Sequence, residues 1–136
     1  MVFWLECDSL LFMAQSGRFV LSLRVLALLA RDPATMMTSA AIAEELSESA
    51  VMVRRLFPPL HHAGLIVQKK GPSGGARLNR PAKSIGLGDI FAAIEPDWLV
   101  ASEKPLDAAF KKLRTHTIEA MNETTVAVIA RKLKKA

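Results

Sequence analysis

From Gly17 onward apolar residues recur at intervals of three and four, and between Gly64 and Arg80 this gives way to a short apolar run and a glycine-rich turn. Val20, Leu23, Leu26, Ala27 and Ala30 fall at helical spacing and Asp32-Pro33 stops the run, so Gly17 to Ala30 is predicted as a first core helix. Thr38 or Ser39 can cap a short second helix ending at Leu46, with Ile42 and Leu46 on one face. Ser47-Glu48-Ser49 is a brief break offering two further caps. A third helix follows with Val53, Leu56 and Leu60 inward, which turns Arg54 and Arg55 onto other faces. Pro58-Pro59 interrupts this segment, and because proline in a helix interior costs about 3 kcal/mol, a kink or restart is predicted there.

Gly64 suits a left-handed helix stop. Leu65 to Lys70 reads as a strand, Gly71 to Gly75 as a turn and Ala76 to Asn79 as the return strand. Leu87 to Glu95 is predicted as a short helix with Ile90, Phe91 and Ile94 on its apolar side. Pro105 suits the first turn of a long helix striped by Leu106, Phe110, Leu113, Thr117 and Met121, about 25 Å in length. Asn122 and Thr124 mark a break before a last helix bearing Val126, Ile129 and Leu133.

Two short helices in tight succession, then a glycine-tipped hairpin, give the element order of a winged helix-turn-helix. The predicted fold is mainly α with a small β-hairpin: an N-terminal extension (1–15), a winged helix-turn-helix (16–95) and long C-terminal dimerisation helices (96–136). The stripe of the long helix suits either an intramolecular core or a partner helix, since both use one periodicity. So small a globular body favours the partner helix. In a helix-turn-helix the second helix enters the major groove while the first crosses the backbone. The candidate DNA-contacting residues are therefore Thr38, Ser39, Ser47, Ser49, Met52, Arg54 and Arg55, with Lys69, Lys70 and Arg77 on the wing. Arginine can read guanine bidentately, and hydroxyls can bond phosphates or bases.

Charge sharpens this picture. Ser49 to Gly88 contains no acidic residue and seven fixed cations: Arg54, Arg55, Lys69, Lys70, Arg77, Arg80 and Lys83. The chain holds 18 Lys and Arg against 13 Asp and Glu, so everything outside that segment has 11 basic against 13 acidic residues. A basic element on a mildly acidic body is the electrostatic footprint of a nucleic-acid binder. The absence of Tyr argues against a base-stacking platform for single strands. One cysteine, Cys7, excludes a disulfide framework or a multi-cysteine metal site within one chain, and fits a reducing cytoplasm. No apolar run approaches the ~20 residues that span a bilayer. The opening MVFWLECDSLLF carries Glu6 and Asp8 without a basic leading region, so it reads as an upstream extension and not a signal peptide.

Three stretches carry a family resemblance: SGRFVLSLRVLALLA, then TSAAIAEEL, then VRRLFPPLHHAGLIVQKKGPSGGARLNRPAKSIGLGDIFAAIE. The last is the most specific, with its arginine pair, alanine-glycine-leucine helix end, glycine-rich wing and glycine-aspartate-isoleucine helix. Ser16 to Glu95 thus resembles the Rrf-two family of bacterial transcription regulators, which includes the iron–sulfur cluster assembly regulator and the nitric-oxide-sensing repressor. The resemblance implies a homodimer, held by a long C-terminal helix, that represses from a palindromic operator on double-stranded DNA. It leaves open a small effector. Cluster-binding members resemble one another in having three cysteines between the helix after the wing and the long helix. Glu95 to Phe110 holds none, so no iron–sulfur cluster, metal or other cofactor is expected.

Other motifs lead elsewhere and carry less. Gly71-Pro72-Ser73-Gly74-Gly75 matches G-x-S-x-G, but a nucleophile elbow needs a strand-to-helix turn on a large sheet, so no enzyme is expected. Gly86-Leu87-Gly88 begins a dinucleotide pattern in which Phe91 takes the third glycine position. His61 and His62 are adjacent, about 100° apart on a helix, and cannot share a metal in the i, i+4 manner. Trp98 reads as a packing anchor. The rival function is a winged-helix interaction module that docks proteins without touching nucleic acid.

Overall fold

Leu21, Val25, Leu28 and Leu29 form the buried stripe of α1 (residues 17–29), with Leu26 and Ala27 beside them. Val20, expected inward, is 49% exposed. The larger Leu and Val set one position later buries more apolar area than the set containing Ala30, and it decides which way the helix faces. The computed structural model describes residues 17–71 and 74–135; the N-terminal extension, Cys7, and Pro72 and Ser73 of the turn lie outside the described residues.

Thr38 caps α2 (Ser39–Leu46), its hydroxyl accepting the Ala41 N–H at 3.1 Å, and Ile42 and Ala43 are buried. Ser47 turns the chain in a left-handed conformation (φ 55°), and Ser49 caps α3 (Ala50–His62). This third helix runs through Pro58 and Pro59 as one element, without the predicted restart. The two carbonyls that lose their donors belong to Arg54 and Arg55, which are exposed, so water can serve them. Beyond the prolines Leu60 is fully buried and holds the last turn in register.

Gly64 (φ +77°) ends the turn after α3 as its position suggested. β1 (Ile66–Lys69) and β2 (Gly75–Leu78) pair antiparallel, Val67 opposite Arg77 and Lys69 opposite Gly75. Ile66, Ala76 and Leu78 face the core. Met37 and Ala76 exchange two backbone hydrogen bonds of 2.9 and 2.8 Å, tying the wing to the residue before the α2 cap. Gly75 (φ +132°) makes this approach feasible, because any Cβ there would overlap the Met37 carbonyl oxygen.

A 3-10 turn (Ala82–Ser84) leads to α4 (Leu87–Ile94), α5 (Lys104–Met121) and α6 (Val126–Lys135). Asp89 organises this junction. It accepts the Gly86 N–H at 3.1 Å, Arg80 Nη2 at 3.1 Å and Asn122 Nδ2 at 3.3 Å, while its own N–H donates to Asn122 Oδ1 at 3.0 Å. Val126 N–H to the Ile85 carbonyl and Leu87 N–H to the Thr124 carbonyl (both 2.9 Å) close the same corner. The core lies between α1, α3, the hairpin and α4, with Val126 entering from α6. The long helix α5 contributes no fully buried side chain, and Leu106 and Leu113 are 44% and 54% exposed.

Candidate nucleic-acid interface

The buried stripe of α3 is Val53, Leu56, Phe57 and Leu60, which leaves Val51, Arg54, Arg55 and Pro58 on its exposed side. A helix so placed is anchored by its apolar face and offers the opposite one to a partner. Its start is set by Ser49, whose hydroxyl oxygen accepts the Met52 N–H at 3.5 Å. Thr38 does the same for α2. Both hydroxyls keep a proton, so each can still donate to a phosphate oxygen.

The ten candidate contacts do not form one cluster. Thr38, Ser39, Arg54, Lys69 and Lys70 line a common crevice of about 190 Å³ where α3, the N-terminus of α2 and the wing meet. Met52 and Arg55 lie on the other flank of α3, in a crevice with Arg18, Pro59 and Ile94. Ser47 sits exposed at the α2–α3 corner. Arg77 shares the outward face of the hairpin with Lys69 and donates to the Leu78 carbonyl at 3.5 Å. α3 is therefore flanked on both sides by cations, one side continuous with the wing.

Electrostatics separates spare from committed charge. Arg18 pairs with Glu95 (2.9 Å), Arg24 with Glu48 (2.8 Å), Arg80 with Asp89 (3.1 Å) and Arg114 with Asp107 (3.3 Å). Among the described residues, Arg54, Arg55, Lys69, Lys70 and Arg77 take part in no ion pair of this kind. Of the seven cations in the acid-free segment, Arg80 is thus committed to a partner within the chain. The exposed position of these pairs keeps each at roughly 0–1 kcal/mol, so their effect is to fix side chains more than to stabilise.

The loop between α4 and α5 does not fit an iron–sulfur cluster. Such clusters are held by thiolates, and this loop has no cysteine. Two carboxylates at its ends are engaged elsewhere: Glu95 pairs with Arg18, and Asp107, in the first turn of α5, bonds Arg114 and the Ala101 N–H at 3.2 Å. Among the described residues no three His, Cys, Asp or Glu side chains gather as a metal site. Trp98 instead packs edge-on against Phe91 (centroids 5.1 Å), which packs edge-on against Phe19 (5.4 Å). His61 lies with Nδ1 3.3 Å from the Ile66 carbonyl, exposed at the helix end like His62.

Two features escaped the sequence reading. Val51 is exposed between the arginines, a position already implied by its setting about 180° around the helix from Leu60. The Arg80–Asp89–Asn122 node had no local signal, because Asn122 lies 33 residues beyond Asp89.

The family model described as Rrf2, iron-dependent transcriptional regulator, matches residues 15–135. The HTH-type transcriptional regulator IscR of Cereibacter sphaeroides is 32% identical over 84 residues, covering 61% of this chain and 54% of that protein. The IscR of Vibrio campbellii is 39% identical over 54 residues, covering 40% of this chain and 32% of that protein. The chain spans about half or less of the length of these relatives. Among solved structures, T. potens IscR superposes with a TM-score of 0.63 at 21% identity, covering 85% of each chain. The oxidized form of Staphylococcus aureus CymR gives 0.58 at 28% identity, covering 85% of this chain and 92% of that one.

Proposed function

This chain belongs to the Rrf2 family of transcriptional regulators, and from that footing we propose that it binds double-stranded DNA as a sequence-specific transcription regulator. It works as a homodimer that represses from a palindromic operator, without an iron–sulfur cluster and without catalytic chemistry. The observation that carries the reading is the set of five cations on α3 and the wing that pair with no acid among the described residues, where Arg54 shares a crevice with Lys69, Lys70 and the α2 cap. Arg54 and Arg55 face base edges from the two flanks of α3, and Lys69, Lys70 and Arg77 hold phosphates. The exposed Leu106 and Leu113 on α5 support a partner helix as their cover. A small effector has room in a cavity of about 450 Å³ between α4 and α5, beside Phe91, Trp98, Arg114 and Ile118. Family membership also supports a cytoplasmic location, where the chromosome is.

The test is recovery of bound fragments from genomic DNA, followed by affinity measurements on the enriched duplex over a salt series. A palindrome with half-sites about 34 Å apart is expected. The affinity should fall with salt at a logarithmic slope of about −0.9 per phosphate neutralised. Arg54→Ala and Arg55→Ala should each cost about 1–3 kcal/mol and relax specificity if they read bases, or weaken all sequences alike if they touch phosphate. Unchanged affinity in both variants sinks the assignment.

A further inference from the structure

Seven large hydrophobic side chains are exposed among the described residues. Leu106, Leu113 and Leu133 stand on α5 and α6, and Val100 precedes them, so a partner helix accounts for these. Val20 and Met52 line one notch between α1 and α3 together with Leu21 and Arg24. Val51 has no such backing. It is 50% exposed, the second residue of α3, and flanked by Arg54 and Arg55 on the surface opposite the core.

We infer that Val51 reads the 5-methyl group of a thymine in the major groove, which makes thymine the favoured base at one position of each operator half-site. This rests on the DNA-binding reading above. The first residues of a recognition helix are those that reach base edges. Valine has neither donor nor acceptor, so pressing it on the polar edge of guanine, adenine or cytosine strips hydration without replacing the lost hydrogen bonds. The thymine C5-methyl is the one methyl group on the major-groove edge of the four bases and the largest apolar surface there. β-Branching leaves Val51 nearly rigid at χ1, so its methyls meet that group with little ordering cost, unlike the flexible Met52 beside it.

The experiment uses the full chain and the duplex enriched in a selection from random sequence. Each thymine is replaced in turn by uracil, which removes the methyl and leaves every hydrogen-bonding group in place. Burial of one methyl predicts roughly fourfold weaker binding at one thymine per half-site for the wild type. Val51→Ala, an exposed change that raises helix propensity, should bind the thymine and uracil duplexes within about twofold of each other. Met52→Ala should keep the full discrimination. Equal affinity for all uracil duplexes in the wild type overturns the inference while leaving DNA binding intact. So does discrimination that survives in Val51→Ala, or that vanishes in Met52→Ala. A selection that enriches no duplex overturns the DNA-binding reading and this inference with it.

Discussion

Replacing Gly88 by Ala adds one methyl where α4 packs against the Ile118 backbone of α5. Two effects then oppose each other. Gly88 lies inside a helix, so propensity alone favours Ala by about 1 kcal/mol. Against this, the new Cβ would overlap the Ile118 carbonyl oxygen and come within 2.7 Å of Asn122 Oδ1. The first of these is backbone and cannot rotate away. Overpacking of this kind costs about 1–3 kcal/mol. Separating the helices also stretches the Asp89 N–H to Asn122 Oδ1 bond, worth about 1 kcal/mol. The clash wins, and a net loss of about 1–3 kcal/mol is expected. Urea unfolding at fixed protein concentration should show a midpoint lower by about 0.5–2 M with an unchanged slope. Gly17→Ala is the internal control, since its added Cβ meets nothing within 4 Å. A Gly88→Ala protein as stable as the wild type refutes the claim that bare backbone contact sets the α4–α5 spacing.

Gly75→Ala should loosen the wing, because the added Cβ would overlap the Met37 carbonyl oxygen at a backbone angle of +132° that L residues rarely adopt. Slower amide exchange at Ala76 than in the wild type, or unchanged stability, contradicts this. The Asp107 carboxyl is held below its ordinary value of 3.8, first by the Ala101 N–H and then by Arg114. A lowered folded-state pKa stabilises the fold above the unfolded value, and that benefit disappears as pH falls through the folded value. Asp107→Asn should therefore be less stable than the wild type at neutral pH, with a gap that narrows below 3.8 in a pH series of thermal melts. A gap that is constant with pH points to lost shape and not lost charge.

Local spacing was enough to place the helices of the winged module, the hairpin between Gly64 and Arg80, and the long helix opened by Pro105. The reason is that caps, turn residues and the 3.6-residue period act over a few neighbours. The same period turned Arg54 and Arg55 away from Val53, Leu56 and Leu60, and the acid-free run exposed the basic face. What it missed depended on competition or distance. Two overlapping apolar sets in α1 made Val20 look internal, and only packing against the rest of the core chose Leu21 and Val25. The prolines of α3 were tolerated because Leu60, beyond them, is buried by other elements.

The amino-acid order by itself determined which segments are helical, where the chain turns, and that one stretch is uniformly cationic. The tertiary structure alone decided how those cations are divided. Arg80 is drawn inward by Asp89, Arg54 is brought beside the wing and the α2 cap, and Arg55 is left on the opposite flank. Charge count is a property of composition, whereas pairing depends on which distant backbone segments the packed core sets within 3–4 Å of each other, as at Asp89 and Asn122.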